Sequence, residues 1–375
     1  MKSMKALNQC VFLALLVKGF YDSGNVLAHN EDPVELVHKS SLDGTTTQYS
    51  GFGRLHRLFV FGDSISETGF STNGNTPSAQ NPLGNPDFPG NTTAWGMNWV
   101  GALVKSSKGL VTWNFASPGS PVDNNVLNAI RFGHLRDFAE QVSIFKRDCT
   151  GSGAKVDWSS SDSLFLSMYG QIDLNILMLD GLPLLTNIDA VAAFEKNAKA
   201  TIEKILHSYL QNWEQLYGLG ARNFFAITPI QFTAVPFSLK YVQLAIDQHG
   251  EPIGDAFLPA LGRVAANLND RLAVLSSAFQ ETHRGSKVFF MDATALMEDV
   301  IANPSLFGYH KVDTFCPTYQ NLRYINSQYP DPPTEAAKLA CSGLDVGQWL
   351  WLDEHHPTSP FHVHLAKRLY AVLLA

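Results

Sequence analysis

Five short, mostly apolar runs separated by longer amphipathic stretches constrain this chain most. They are Leu58–Phe61, Trp113–Ala116, Leu164–Tyr169, Asn223–Thr228 and Val288–Met291. Runs of four to six apolar residues suit strands buried on both faces, as in parallel sheets. Between them the apolar period changes to that of a helix. Trp95, Trp99, Val100 and Leu103 share one face, and Leu135, Phe138, Val142 and Phe145 another. Longer helices are expected over 190–217, stopped by Gly218 and Gly220, and over 258–282. Phe361, Leu365, Leu369 and Val372 give a last helix, entered through Thr358-Ser359-Pro360. The alternation predicts an α/β fold with a central parallel sheet between helical layers. No repeat or linker divides the chain, so 55–375 reads as one domain with loop insertions. One of these is the Asn-, Pro- and Gly-rich stretch 73–94.

With 45% hydrophobic and 16% charged residues among 375, the chain has ample material for a core. Its 34 acids against 27 bases give a net charge of −7 without a dense basic patch, which argues against nucleic acid as a partner. Lys2 and Lys5, the apolar stretch Cys10–Val17 and the small-residue site Val26-Leu27-Ala28 together read as a signal peptide over 1–28. A polar segment, 29–54, follows. No later stretch is long and apolar enough to span a bilayer, so the expectation is a secreted, extracellular protein. Export opens Asn91-Thr92-Thr93 to glycosylation, the one acceptor triplet without a central proline. Removal of the leader leaves Cys149, Cys316 and Cys341, an odd number. The pairing favoured is Cys316 with Cys341, which staples a Pro- and Tyr-rich excursion. The cysteine spacing resembles no zinc pattern, and no metal is expected.

Two segments at opposite ends carry the chemistry. Phe61-Gly62-Asp63-Ser64 follows the first strand, which places a hydroxyl at the carboxyl edge of the sheet, where ligands bind in this class of fold. Asp353-Glu354-His355-His356-Pro357-Thr358 supplies an imidazole, His356, and an acid, Asp353, three residues apart. Nucleophile, base and orienting carboxylate are the minimum set for covalent ester hydrolysis. The bland reading makes Ser64 and Asp63 helix caps and Glu354 and His355 surface groups. Two further strand ends could stabilise an oxyanion: the segment 114–120 through Gly119, and Gly170-Gln171-Ile172-Asp173 through an amide side chain.

With these residues in hand, the chain resembles the SGNH, or GDSL, hydrolases over about residues 55 to 375, and more narrowly the secreted fungal GDSL esterases that include acetylesterases. The resemblance rests on the Phe61–Ser64 block, on Asn81–Pro86 and Phe88-Pro89-Gly90, and on Asp353-x-x-His356-Pro357-Thr358. Gly-x-Ser-x-Gly, the elbow of ordinary α/β-hydrolases, is absent from the Ser64 block. The resemblance implies a three-layer α/β/α, flavodoxin-like architecture. It implies Ser64 as nucleophile, His356 as base and Asp353 as its partner, with the Ser64 and Gly119 N–H groups and an asparagine amide as oxyanion donors. Here the chain departs from the pattern: Ile172 stands where the family's Gly-x-Asn-Asp block has asparagine. Gln171 is the substitute favoured, Asn175 the alternative, and two N–H groups acting alone a third.

The expected activity is serine-dependent hydrolysis of carboxylic esters through an acyl-enzyme, without metal or organic cofactor. The resemblance points to short acyl groups, acetate above all, on a carbohydrate or other small molecule. Trp95, Trp99, Tyr319 and Tyr324 are candidates for a sugar-stacking rim, or else packing residues. Ile172 motivates an alternative, a carbohydrate-binding or catalytically weakened member of the same fold. A long-chain lipase lacks support because no amphipathic lid is evident.

Overall fold

The computed structural model describes residues 49–133, 135–325 and 333–375, without the side chains of 323–325. The expected leader, 1–28, and most of the polar segment 29–54 lie outside the described residues.

The five apolar runs form strands β1 (Arg57–Gly62), β2 (Val111–Asn114), β3 (Ser163–Met168), β4 (Asn223–Ile227) and β5 (Lys287–Met291). All pair in parallel, in the order β2-β1-β3-β4-β5. Every residue of β3 and β4 is buried, which explains their mostly apolar character. The helices are α1 (Trp99–Lys105), α2 (Phe138–Cys149), α3 (Gln171–Gly181), α4 (Ile188–Gly218), α5 (Pro236–His249), α6 (Glu251–Thr282), α7 (Ala293–Ala302), α8 (Pro317–Ile325), α9 (Glu335–Ala340) and α10 (Ser359–Leu374).

On one side of the sheet α10 packs on α1 and β5; on the other, α2, α4 and α6 pack together and against the strands. The result is three layers, helix on sheet on helix. In a parallel sheet, register partners lie side by side on one face, and here they build an aromatic ladder. Phe59 pairs with Phe165, which pairs with Phe224. Phe59 and Phe165 stack at 4.9 Å, and Phe224 lies 5.1 Å from both Trp213 of α4 and Phe279 of α6. Each ring fully buried in this way contributes about 1.5–3 kcal/mol. Residues just before β1 join the opposite layer: Phe52 packs on Tyr370, and the Tyr49 hydroxyl donates to the Leu373 carbonyl at 2.8 Å.

Several expectations need correcting. The segment after Gly170, read as a strand end, is the first turn of α3. Helix α5, unforeseen, precedes α6, which starts at Glu251 and absorbs Pro259 in its interior. Trp95 stands outside α1 with φ of 53°, so it does not share the helical stripe. Beyond β5, strands β6 (Lys311–Phe315) and β7 (Trp349–Trp351) form a second, two-stranded sheet. Cys316 and Cys341 are bridged, with Cα atoms 5.7 Å apart, inside a small core of Tyr319, Trp349 and Leu352. Cys149 is free and buried, and burial pushes its thiol up to about 12.

Candidate active site

In a sheet ordered 2-1-3-4-5 the connections leave β1 in opposite directions, opening a crevice at the carboxyl ends of β1 and its neighbours. Three chain segments enter it there: 63–67 after β1, 115–120 after β2 and 170–175 after β3.

The first is a single helical turn. The Ser66 and Glu67 N–H groups donate to the Asp63 carbonyl at 3.1 Å each, and the Ile65 N–H to Asp63 Oδ1 at 2.9 Å. Asp63 is therefore the cap, which leaves the Ser64 hydroxyl for other work. Gly62 is required by proximity: a Cβ there would lie 2.7 Å from the Met168 carbonyl and 3.0 Å from Ser66 Oγ. The turn is held from the sides as well. Asn114 Nδ2 donates to the Ser66 carbonyl and Asn98 Nδ2 to that of Glu67, both at 2.7 Å.

The second half of the site arrives 290 residues later on a hairpin. Leu352 N–H donates to His356 O, and Thr358 N–H to Leu350 O, each at 2.8 Å, while Trp351 bridges Pro357 in antiparallel fashion. Asp353 to His356 thus form the tip. Asp353 Oδ1 accepts from the His355 and His356 N–H groups at 2.8 and 2.9 Å, so the carboxylate also shapes the turn that carries the imidazole. Ser359 N–H to Ala94 O, with Thr93 Oγ1 donating to Ser64 O, each 2.7 Å, ties the hairpin to the Ser64 turn through 93–94.

The three groups then stand in series. His356 Nε2 lies 2.8 Å from Ser64 Oγ, and His356 Nδ1 lies 2.8 and 2.9 Å from the two Asp353 oxygens. Asp353 is 1% exposed, His356 5% and Ser64 9%, so the array is sheltered from water yet reachable at the hydroxyl. Such an array can move a proton from hydroxyl to imidazole while the carboxylate supports the resulting cation. Glu354 and His355 are not simple surface groups. Both are half-buried: Glu354 pairs with Lys240 at 2.9 Å and accepts the Phe237 N–H, and His355 packs on the Phe237 ring at 4.2 Å. They anchor the start of α5 to the hairpin tip. His362, in the first turns of α10, is fully buried, and burial, with His356 nearby, holds it down to about 3, hence neutral.

The N–H groups of Ser64 and Gly119 donate to no partner among the described residues. Gly119 has φ of 69°, a left-handed conformation that favours glycine. It lies close to the β1 end because the Ser117 N–H donates to the Gly62 carbonyl at 3.0 Å.

The third segment differs most from expectation. Because α3 starts at Gln171, Gln171 and Asn175 lie one turn apart on the same helical face. Both are over nine-tenths buried. Gln171 Nε2 and Oε1 and Asn175 Oδ1 have no partner among the described residues. Ile172 turns away and packs half-buried against the apolar core. Asp173, fully buried, accepts the Val122 N–H at 3.0 Å and so ties α3 to the chain after β2. Burial raises Asp63 and Asp173 to about 7 each. Of the aromatic candidates, Trp99 and Tyr319 are core residues; Trp95 is half-buried, edge-on to Tyr319 at 5.8 Å, and Tyr324 has no described side chain. Among the described residues no cluster of His, Cys, Asp or Glu could hold a metal ion.

A doubly wound α/β/α sheet with hydroxyl, imidazole and carboxylate in series at its switch point defines a class, the α/β ester hydrolases. Residues 58–369 match the model of the GDSL-like lipase/acylhydrolases, and the chain belongs to that family. An acetylesterase of Thermothelomyces thermophilus is 28% identical over 310 residues, 80% of this chain and 82% of the relative. A GDSL esterase/lipase of Arabidopsis thaliana is 22% identical over 390 residues, 96% and 93% of the two chains. A crystal structure of an extracellular lipase from Streptomyces rimosus aligns with TM-score 0.41 at 13% identity, over 84% of this chain and 99% of that one. The protein is a carboxylic-ester hydrolase.

Proposed function

We propose that the chain hydrolyses short-acyl esters, acetyl esters of carbohydrates above all, through a Ser64 acyl-enzyme. The observation that carries this reading is the unbroken series Ser64 Oγ, His356 Nε2, His356 Nδ1, Asp353, with every contact at 2.8–2.9 Å. Ser64 Oγ attacks the ester carbonyl as His356 Nε2 takes its proton, and Asp353 holds the imidazolium. Collapse of the tetrahedral intermediate expels the alcohol, which His356 protonates. Water, deprotonated by the same nitrogen, then cleaves the acyl-Ser64 ester and releases the acid.

The Ser64 and Gly119 N–H groups supply two donors for the oxyanion. Gln171 Nε2 supplies the third: it opens α3 three residues beyond Met168, whose strand partner Gly62 lies two residues before Ser64. Its amide is buried without a partner, and it sits at the helix end where the dipole favours negative charge. Asn175, a full turn deeper, is the alternative donor. Acetyl preference is supported by similarity to the Thermothelomyces acetylesterase. Export is supported by the disulfide, a bond of oxidising compartments. Asn91, exposed in the loop before α1, is the proposed glycan acceptor.

Purified protein assayed on acetylated oligosaccharides and on esters of rising acyl length, beside Ser64→Ala, tests the reading. Turnover should be highest for acetate and fall to background in the variant. Equal turnover by both proteins would refute Ser64 catalysis, and a preference for long acyl chains would refute the substrate class.

A further inference from the structure

Gln141 of α2 is fully buried, a carboxamide flanked on its stripe by Phe138, Val142 and Phe145. Its Oε1 accepts the Gly62 N–H at 3.0 Å, and its Nε2 donates to the Gly62 carbonyl at 2.8 Å. The same nitrogen donates to Ser120 Oγ at 2.9 Å, and the Ser120 hydroxyl in turn donates a hydrogen bond to the Arg136 carbonyl. β2 ends at Asn114, opposite Val60, and beyond it the Ser117 N–H reaches only the Gly62 carbonyl, at 3.0 Å. The Gln141 amide accepts the Gly62 N–H and adds a second donor to that carbonyl.

One side chain therefore connects the residue two before Ser64 with the residue directly after Gly119. These two segments carry the backbone donors assigned above to the oxyanion. We propose that Gln141 is a positioning residue that sets the spacing of the Ser64 and Gly119 N–H groups and so tunes the oxyanion site. This inference rests on the ester-hydrolase reading with those two donors. Gln141 touches no substrate atom. Its effect is geometric: a misplacement of about 1 Å in a catalytic array can cost about 100-fold in rate.

The test compares wild type with Gln141→Met, near-isosteric but without either hydrogen bond, and with Ser120→Ala, which cuts only the second arm. Three quantities are read on acetyl ester: kcat, KM, and the inhibition constant of an alkyl boronic acid, which forms a tetrahedral adduct on a reactive serine. For Gln141→Met, kcat should fall about 10- to 100-fold. KM should stay within about threefold, and boronate affinity should weaken in step with kcat. Ser120→Ala should shift both quantities several-fold in the same direction, and it serves alone if Gln141→Met does not fold. A merely structural role would lower the melting temperature and leave kcat and boronate affinity of the folded protein unchanged; that result overturns the proposal. A lower kcat with unchanged boronate affinity also overturns it. Ser64→Ala run alongside separates the two levels: activity retained there sinks the ester-hydrolase mechanism itself, whereas its loss beside an unaffected Gln141→Met sinks only the positioning role of Gln141.

Discussion

Asp353→Asn isolates the carboxylate's contribution without disturbing its surroundings. Asp353 Oδ1 is fixed by two backbone N–H groups at 2.8 and 2.9 Å, so an amide must keep its oxygen there and put its nitrogen at the Oδ2 position, 2.9 Å from His356 Nδ1. Two effects follow. The imidazolium formed during attack loses its counter-charge at a 1%-exposed site. At about 4 Å and an effective dielectric near 20, that interaction is worth about 4 kcal/mol, or about a thousandfold in rate. The new N–H2 also faces Nδ1 and favours the tautomer whose Nε2 already holds a proton, so Ser64 loses its base. Serine proteases with the equivalent change lose about 10⁴ in kcat, and a fall of about 10³ to 10⁴ is expected here. KM should hold within about threefold, since Asp353 meets no substrate. Steady-state hydrolysis of an acetyl ester at pH 7.5, with circular dichroism to verify the fold, reads the result. A folded variant within tenfold of wild-type kcat would refute the reasoning.

Gln171→Leu keeps the volume and removes the proposed third oxyanion donor; kcat should fall about 100-fold, while Asn175→Leu should cost much less, and the reverse ranking would move the role to Asn175. Asp173 is raised to about 7 when folded, from an ordinary value of 3.8, so its contribution to stability is complete below about pH 4 and is lost as pH rises to about 7. Asp173→Asn keeps an acceptor for the Val122 N–H and should lose that slope. Melting temperatures measured from pH 4 to 8 would therefore decline less with pH than those of wild type, and parallel curves would contradict this. Cys316→Ser opens a loop spanning 25 positions and should cost about 3–4 kcal/mol by chain entropy. Because Leu352 of the same small core adjoins Asp353, activity should fall at a lower temperature than in wild type, read as residual activity after heating.

What the sequence disclosed follows from burial. The strands of the main sheet are legible because burial on both faces, complete in β3 and β4, makes them mostly apolar. The two site segments are legible because a glycine at position 62 and an acid three residues before His356 answer local demands, close strand approach and an Asx-shaped turn. Helix α3 is hidden for the opposite reason. Asp173 to Met178 are all buried, so no polar face gives a period, and Gly170 offers no capping side chain. Helix α5 lies behind Pro236 and is joined to α6 through Gly250, with Pro252 and Pro259 obscuring the pattern. Strand β6 is half-exposed and mixed in character, leaving no apolar run to find. Gln141 did leave a sign, a carboxamide three residues after Phe138 on an apolar stripe. Its partner Gly62, though, lies 79 positions away, a distance only the fold closes.

The central claim is that Ser64 is the nucleophile, and the most direct measurement is active-site titration with an alkyl fluorophosphonate, followed by mass spectrometry of the labelled peptides. The account predicts one adduct per chain, on Ser64, with activity lost in proportion to labelling and no adduct on His356→Ala over the same interval. Labelling at another serine that tracks the loss of activity, or full turnover by protein modified at Ser64, would contradict it.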